Sequence, residues 1–172
     1  EQLVKAAFAA SGQSHYREHH RVRRLRGSKA FLPPLSLVAE KDGRLAGYIL
    51  FTKAKIGSES LLALSPVAVH PDEQGCGIGG RLIAEGHKRA AALGYPGVVV
   101  VGGQHYYPKF GYEPGENFGL TSSFSLPDGG FLVKELRDGG LKNIRGVVEY
   151  AREFFEFPDF EREKGDFKPT CS

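Results

Sequence analysis

The sequence predicts an α/β protein on a mixed sheet: an antiparallel meander followed by one parallel crossover, with helices on both faces. Three observations predict it. Apolar, strand-like runs at 35–39, 45–52 and 61–69 follow one another with turns between them. Asp42-Gly43 stands between the first two, and Asp-Gly is the strongest short hairpin signal. After the third run come clustered glycines, an amphipathic stretch and the β-branched run 97–101, and a strand–helix–strand succession makes a parallel crossover. A chain of 172 residues suits one domain with a sizeable core, so 1–172 is read as a single domain.

Taken in order, Leu3, Val4, Ala7 and Phe8 have helical spacing, so the chain opens inside an amphipathic helix that Ser11-Gly12 ends. Residues 15–26 read as a second, polar helix with Val22 and Leu25 as apolar contacts. Pro33-Pro34 excludes helix, and 35–39 form the first strand. In the returning strand, Gly47 marks a bulge or a close backbone approach. Residues 53–60 read as a turn region and 61–69 as the third strand. Pro66 cannot donate to a ladder, so that strand either lies at an edge or is bulged, which would free backbone groups of Val67, Ala68 and Val69. Leu82, Ile83, Gly86, Ala90 and Leu93 share a helix face, and Gly94 supplies the C-cap. Residues 97–101 lack alternation and read as a strand buried on both faces. The aromatic stretch 104–114 reads as a short helical turn leading into a strand, 130–134 as a further strand, and Asp138-Gly139-Gly140 as a turn. Val147, Val148, Ala151, Phe154 and Phe155 leave helix against strand open. Residues 158–172 are expected as a polar surface tail.

Composition narrows the function classes. Hydrophobic residues make up 41% and charged residues 25%, an ordinary globular balance. No apolar run reaches the roughly 18 residues of a membrane span, and 1–10 lack a signal-peptide pattern, so no membrane partner is expected. Cys76 and Cys171 cannot make a disulfide framework, which points to a reducing, cytoplasmic setting. A net charge of +3 does not demand nucleic acid and only favours an anionic ligand. His15 and His19 lie one helical turn apart, but no third ligand stands at a telling spacing, so no metal is expected. The chain contains no methionine, from which we expect its natural N-terminus to lie upstream.

Chemistry concentrates where the third strand meets the glycines. Gly75, Gly77, Gly79 and Gly80 fall within six positions, just before the amphipathic stretch. The free N–H groups of a helix start carry partial positive charge, and glycines let an anion come close to them. The physical reading is a diphosphate cradle, set against a plain glycine-rich surface turn. No Lys-Ser or Lys-Thr follows, which excludes the phosphate-loop pattern. Gly75, Gly77 and Gly80 match the dinucleotide spacing, but Pro71, Asp72, Glu73 and Gln74 separate them from the strand and no acidic residue lies between Glu85 and Glu113. The segment reads better as Gln74-x-x-Gly77-x-Gly79, which resembles the acyl-CoA-binding motif of the GNAT superfamily of N-acetyltransferases. Tyr107, Phe110, Gly111 and Tyr112, about 30 residues on, resemble that family's step of a tyrosine followed by aromatic-Gly-aromatic. The order of elements is similar too, and from about Leu3 to roughly Tyr150 the chain resembles the small bacterial YhbS-like group. Two departures stand out. The family's first strand would precede Leu3, and Cys76 occupies a place where the family often has a basic residue.

The resemblance implies a GNAT-like acyl-CoA N-acyltransferase fold, splayed at the cofactor site, with acetyl-CoA as cosubstrate and no metal. It implies pantetheine pairing with the main chain of Val67, Ala68 and Val69, and pyrophosphate on the turn of Gln74, Gly75, Cys76, Gly77, Ile78, Gly79 and Gly80. Cys76 is there a small filler or a thiol able to form a mixed disulfide with CoA. Tyr107 is the implied general acid for the departing thiolate, and Tyr106 is read as core. The base is not identified; Glu40 and His105 are the options. The acceptor is a primary amine, small molecule or peptide, attacking directly in a ternary complex, and homo-oligomerisation is open. The alternatives are a non-catalytic acyl-CoA-binding or sensor domain, and an RNA module using Arg21, Arg23, Arg24 and Arg26. Those arginines otherwise form a patch for an acidic acceptor or a CoA phosphate, or simply a solvated helix face.

Overall fold

Asp42 and Gly43 have φ of 51° and 73°, the paired left-handed conformations that a two-residue hairpin turn demands. In the computed structural model, which describes residues 1–11 and 18–155, this turn joins β1 (Phe31–Lys41) to β2 (Arg44–Ile56). β1 starts earlier than expected and carries Pro33-Pro34 across a register shift between Phe31 and Ser36, where proline removes no needed ladder bond. β2 then pairs antiparallel with β3 (Glu59–Val69) from Ile56↔Glu59 to Gly47↔Val69. Residues 53–60 are therefore mostly strand, contrary to the expected turn region. Ala54 and Ile56 point inward while Lys53 and Lys55 stay exposed, a period of two that the lysines disguise.

Pro66 is not on an edge strand. Ile49 pairs with Val67 and Phe51 with Leu64, so Leu50 alone faces Ser65 and Pro66. The bulge absorbs the residue that lacks a donor. From β3 the chain passes through α3 (Ile78–Ala92) into β4 (Gly97–Val101), which lies parallel to β3. The remaining strands are β5 (Glu113–Pro114), β6 (Leu120–Ser122), β7 (Phe131–Glu135) and β8 (Gly146–Tyr150). The curled mixed sheet runs β5-β7-β4-β3-β2-β8-β6, with β1 also on β2. β8 resolves residues 146–150 as strand, and Phe154 is buried in a short turn of helix after it. β6 had no sequence signal of its own; it exists by pairing parallel to β8.

Helices cover both faces. Ile49 and Phe51 pack with Leu82 and Ile83 of α3. Tyr48 and Leu50, pointing the other way, pack with Val4 of α1 (Gln2–Ser11) and with Val22 and Leu25 of α2 (Glu18–Arg26). Ile49, Phe51, Leu62 and Ile83 are fully buried, worth roughly 1.5–3 kcal/mol each. α3 sits close to the sheet because it carries glycine where the Phe51 ring occupies the place of a Cβ at Gly86. Leu93, expected on the buried face, is instead the C-cap residue and 51% exposed. The expected start of α2 at His15 and the tail 158–172 lie outside the described residues.

Candidate functional site

The site begins where β3 and β4 part. Their ladder consists of Leu62↔Val98 and Ala63↔Val99, while among the described residues β3 runs on to Val69 with β2 as its one neighbouring strand. Which main-chain groups face the gap follows from ladder alternation. His70 N–H donates to Ala46 O at 2.8 Å, directly across from it. In an antiparallel pair, bonded and non-bonded positions alternate. Ala68 therefore spends its N–H and C=O on Tyr48, whereas Val67 and Val69 turn theirs away from β2, toward the gap. Of the three residues, two offer backbone groups and Ala68 offers none. The Val69 carbonyl is already engaged: Gln74 Nε2 donates to it at 3.2 Å. Gln74 thus faces the strand end with its side chain.

Past the turn of 71–73, Gln74, Gly75, Cys76 and Gly77 are exposed, and Ile78 and Gly79 are buried. Gly75 and Gly77 both have φ of 77°, and nothing lies within 4 Å of where their Cβ atoms would be. Gly77 occupies the N-cap position of α3 and provides no side-chain cap. The first helical bond is Arg81 N–H to Gly77 O at 3.1 Å. Among the described residues, the N–H groups of residues 75–80 have no protein acceptor. Such an end concentrates partial positive charge on open donors. The Cys76 thiol is exposed, 3.8 Å from Gln74 O.

The aromatic segment lies over this same helix start. The Tyr106 hydroxyl stands 2.7 Å, and Val69 Cγ2 3.5 Å, from where a Gly79 Cβ would be; the Phe110 ring stands 3.2 Å from that place at Gly80. Tyr106 packs against the core as expected, and its hydroxyl also reaches the opening turn. Tyr107 is buried, at 8% exposure, with ring centroids of Tyr106 and Tyr112 each 5.3 Å away. Burial, with a lesser push from Tyr106, raises its phenol far above the usual range, so it stays protonated. The two base options, Glu40 and His105, are both exposed.

Sequence reasoning passed over one pair. His87 Nε2 and the Tyr112 hydroxyl lie 2.8 Å apart. Burial, aided by the Lys134 charge, pushes the His87 pKa down to about 4. The available signal was a histidine four residues after Ile83, on the face that packs inward. Among the described residues no three His, Cys, Asp or Glu side chains converge as a metal site.

Comparison with known proteins bears on this geometry. Residues 34–114 match the model of the acetyltransferase (GNAT) domain. The chain is 32% identical over 126 residues to the N-acetyltransferase YhbS of Escherichia coli K12, itself uncharacterised, covering 72% of this chain and 75% of that one. It is 39% identical over 101 residues to uncharacterised N-acetyltransferase YjhQ of the same strain, a match spanning just over half, 56%, of each. The crystal structure of Escherichia coli YhbS in complex with CoA superposes with a TM-score of 0.80 at 28% identity, covering 91% of this chain and 87% of that one. A GNAT family acetyltransferase from Brucella melitensis in complex with acetyl-CoA gives 0.70 at 32%, covering 89% and 88%.

Proposed function

The chain belongs to the GNAT acetyltransferase family, and on that footing we propose that it transfers an acetyl group from acetyl-CoA to a primary amine by direct attack in a ternary complex. The observation that carries this is the juxtaposition of the unpaired N–H groups of residues 75–80 with the gap-facing main chain of Val67 and Val69. A pyrophosphate fits the former, since the glycines leave open space before them. An extended pantetheine fits the latter as a partial strand. CoA and acetyl-CoA in the two related crystal structures support the same ligand class.

The oxyanion and the leaving thiolate then each have a group to serve them. A gap-facing N–H of β3 donates to the thioester carbonyl and stabilises its oxyanion as the amine nitrogen attacks. The new C–N bond forms, the C–S bond breaks, and Tyr107 gives its proton to the departing sulfur. Burial keeps that phenol protonated at neutral pH but makes it a weaker acid, so the role rests on a position beside the departing sulfur rather than on the shift. The amine's own proton leaves by water or an exposed base.

Calorimetry with acetyl-CoA, together with thiol release across a panel of amines, tests the reading. Micromolar binding and amine-dependent release of CoA thiol are expected. Tyr107→Phe should lower kcat by about 100-fold, the scale of general acid catalysis, and leave acetyl-CoA affinity unchanged. Wild-type turnover in that variant returns Tyr107 to packing. Binding without turnover on any amine makes the domain an acyl-CoA sensor.

A further inference from the structure

We propose that His87 is a positioning residue for the transfer step, holding the Tyr107 phenol in place through Tyr112. The inference rests on the acetyl-transfer reading and adds to it a side chain that touches neither substrate.

The aromatic segment is fastened to α3 at two points. At one, the Tyr106 hydroxyl and Phe110 ring stand over Gly79 and Gly80. At the other, two turns along the same helix, the Tyr112 hydroxyl meets His87 Nε2 at 2.8 Å. Tyr107 lies between them, its ring 5.3 Å from both neighbouring rings, edge-on to Tyr106 and tilted to Tyr112. Its other side closes over Gly103, where a Cβ would stand 2.6 Å from the Tyr107 ring. The phenol is thus held by two rings, and both are anchored to the helix whose first turn offers the cradle.

A histidine at this place does more than fill space. The Tyr112 hydroxyl is deeply buried, and a buried phenol without a partner is costly. His87 is packed edge-on against Phe51, with ring centroids 6.2 Å apart. Burial and the facing Lys134 keep its imidazole neutral. A neutral imidazole has one acceptor and one donor nitrogen, and in either tautomer Nε2 can pair with the Tyr112 hydroxyl and fix the direction of that ring. An apolar residue would pack against Tyr112 without orienting it.

The test uses His87→Phe, Tyr112→Phe and His87→Gln, whose amide keeps a polar group near the Tyr112 hydroxyl. His87→Phe and Tyr112→Phe should each lower kcat on the order of tenfold through misplacement of the acid, with acetyl-CoA affinity within about twofold of wild type. Combining them should cost no more than either alone, and His87→Gln should recover most of the loss. A second readout is independent of turnover: the ring-carbon NMR signal of Tyr107, assigned with Tyr107→Phe. It should shift on CoA addition in wild type and His87→Gln, and fail to do so in His87→Phe, while the amides of residues 75–80 respond in all three. An unchanged kcat in His87→Phe, or a Tyr107 signal that responds there as in wild type, overturns the proposal. Absent turnover in wild type with the NMR contrast intact overturns acetyl transfer alone and supports the positioning.

Discussion

At its C-terminus α3 closes upon itself. Gly94, at φ 85°, turns the chain so that its N–H donates to Ala91 O at 2.9 Å and the Tyr95 N–H to Ala90 O at 3.1 Å. Both bonds of a Schellman closure are made, and the helix end needs nothing else. At the N-terminus Gly77 has nearly the same left-handed φ, 77°, yet nothing caps the donors that follow. One helix thus uses the same residue type in the same conformation to close one end and to leave the other open. The chemistry to close a helix was available, so the open end is a feature of the site. It stands beside the length of β3 whose outward main chain is also without a neighbouring strand.

The comparison can be broken most severely at Gly79. A Gly79→Trp side chain must displace the Tyr106 hydroxyl, 2.7 Å from the Cβ position, and press on Val69, forcing the opening turn off the strand end. Acetyl-CoA affinity measured by calorimetry should fall by more than about 100-fold, or ~2.7 kcal/mol. Unaltered binding would remove the cradle.

An effect of similar size lies mid-helix and concerns pH. His87 binds its proton near 6.5 when unfolded and at about 4 when folded. Below pH 6.5 the unfolded chain therefore holds a proton that the folded chain refuses, so stability rises with pH in this window. Its contribution is complete above about pH 6.5 and is lost progressively as pH falls toward 4, of the order of 3 kcal/mol in all. Denaturant melts at stepped pH should show this slope in wild type and a shallower one in His87→Phe.

The sharpest contrast is a matched pair of substitutions. Gly94→Ala and Gly77→Ala both force a Cβ into a positive-φ position with open space around it. Each should cost about 1 kcal/mol of stability, read as similar shifts in denaturation midpoint. Only Gly77→Ala should weaken acetyl-CoA binding. Equal effects on binding would make the two ends equivalent. Smallest of all, Arg89→Ala breaks the exposed Arg89–Glu85 pair at 2.7 Å and should leave both melting and binding at wild-type values.

Legibility in the sequence tracked the range of the interactions. Asp42-Gly43, Gly75, Gly77 and Gly94 act through their own backbone angles, and each was readable in place. The same holds for the crossover, since glycines followed by a helical period and a β-branched run are local patterns. Residues 53–60 were misread because two lysines mask an alternation that only the partner strand makes meaningful. β6 was invisible for the same reason: three residues become a strand by pairing with β8. His87 was legible as an inward-facing position, yet nothing within the helix indicates a tyrosine 25 residues away as its partner.

By itself the sequence determined where the chain turns, where the helix opens and closes, and that Pro66 must sit either at a sheet edge or at a bulge. These are decided by steric limits on single residues or by a missing donor, which need no distant partner. The tertiary structure alone decided that β4 leaves β3 after two pairs, that Val67 and Val69 rather than Ala68 face the gap, and that Tyr106 reaches Gly79 while His87 meets Tyr112. Those facts depend on register and on side chains brought together across many residues. A ladder's phase or a ring's neighbour is a property of two segments at once, and neither segment carries it alone.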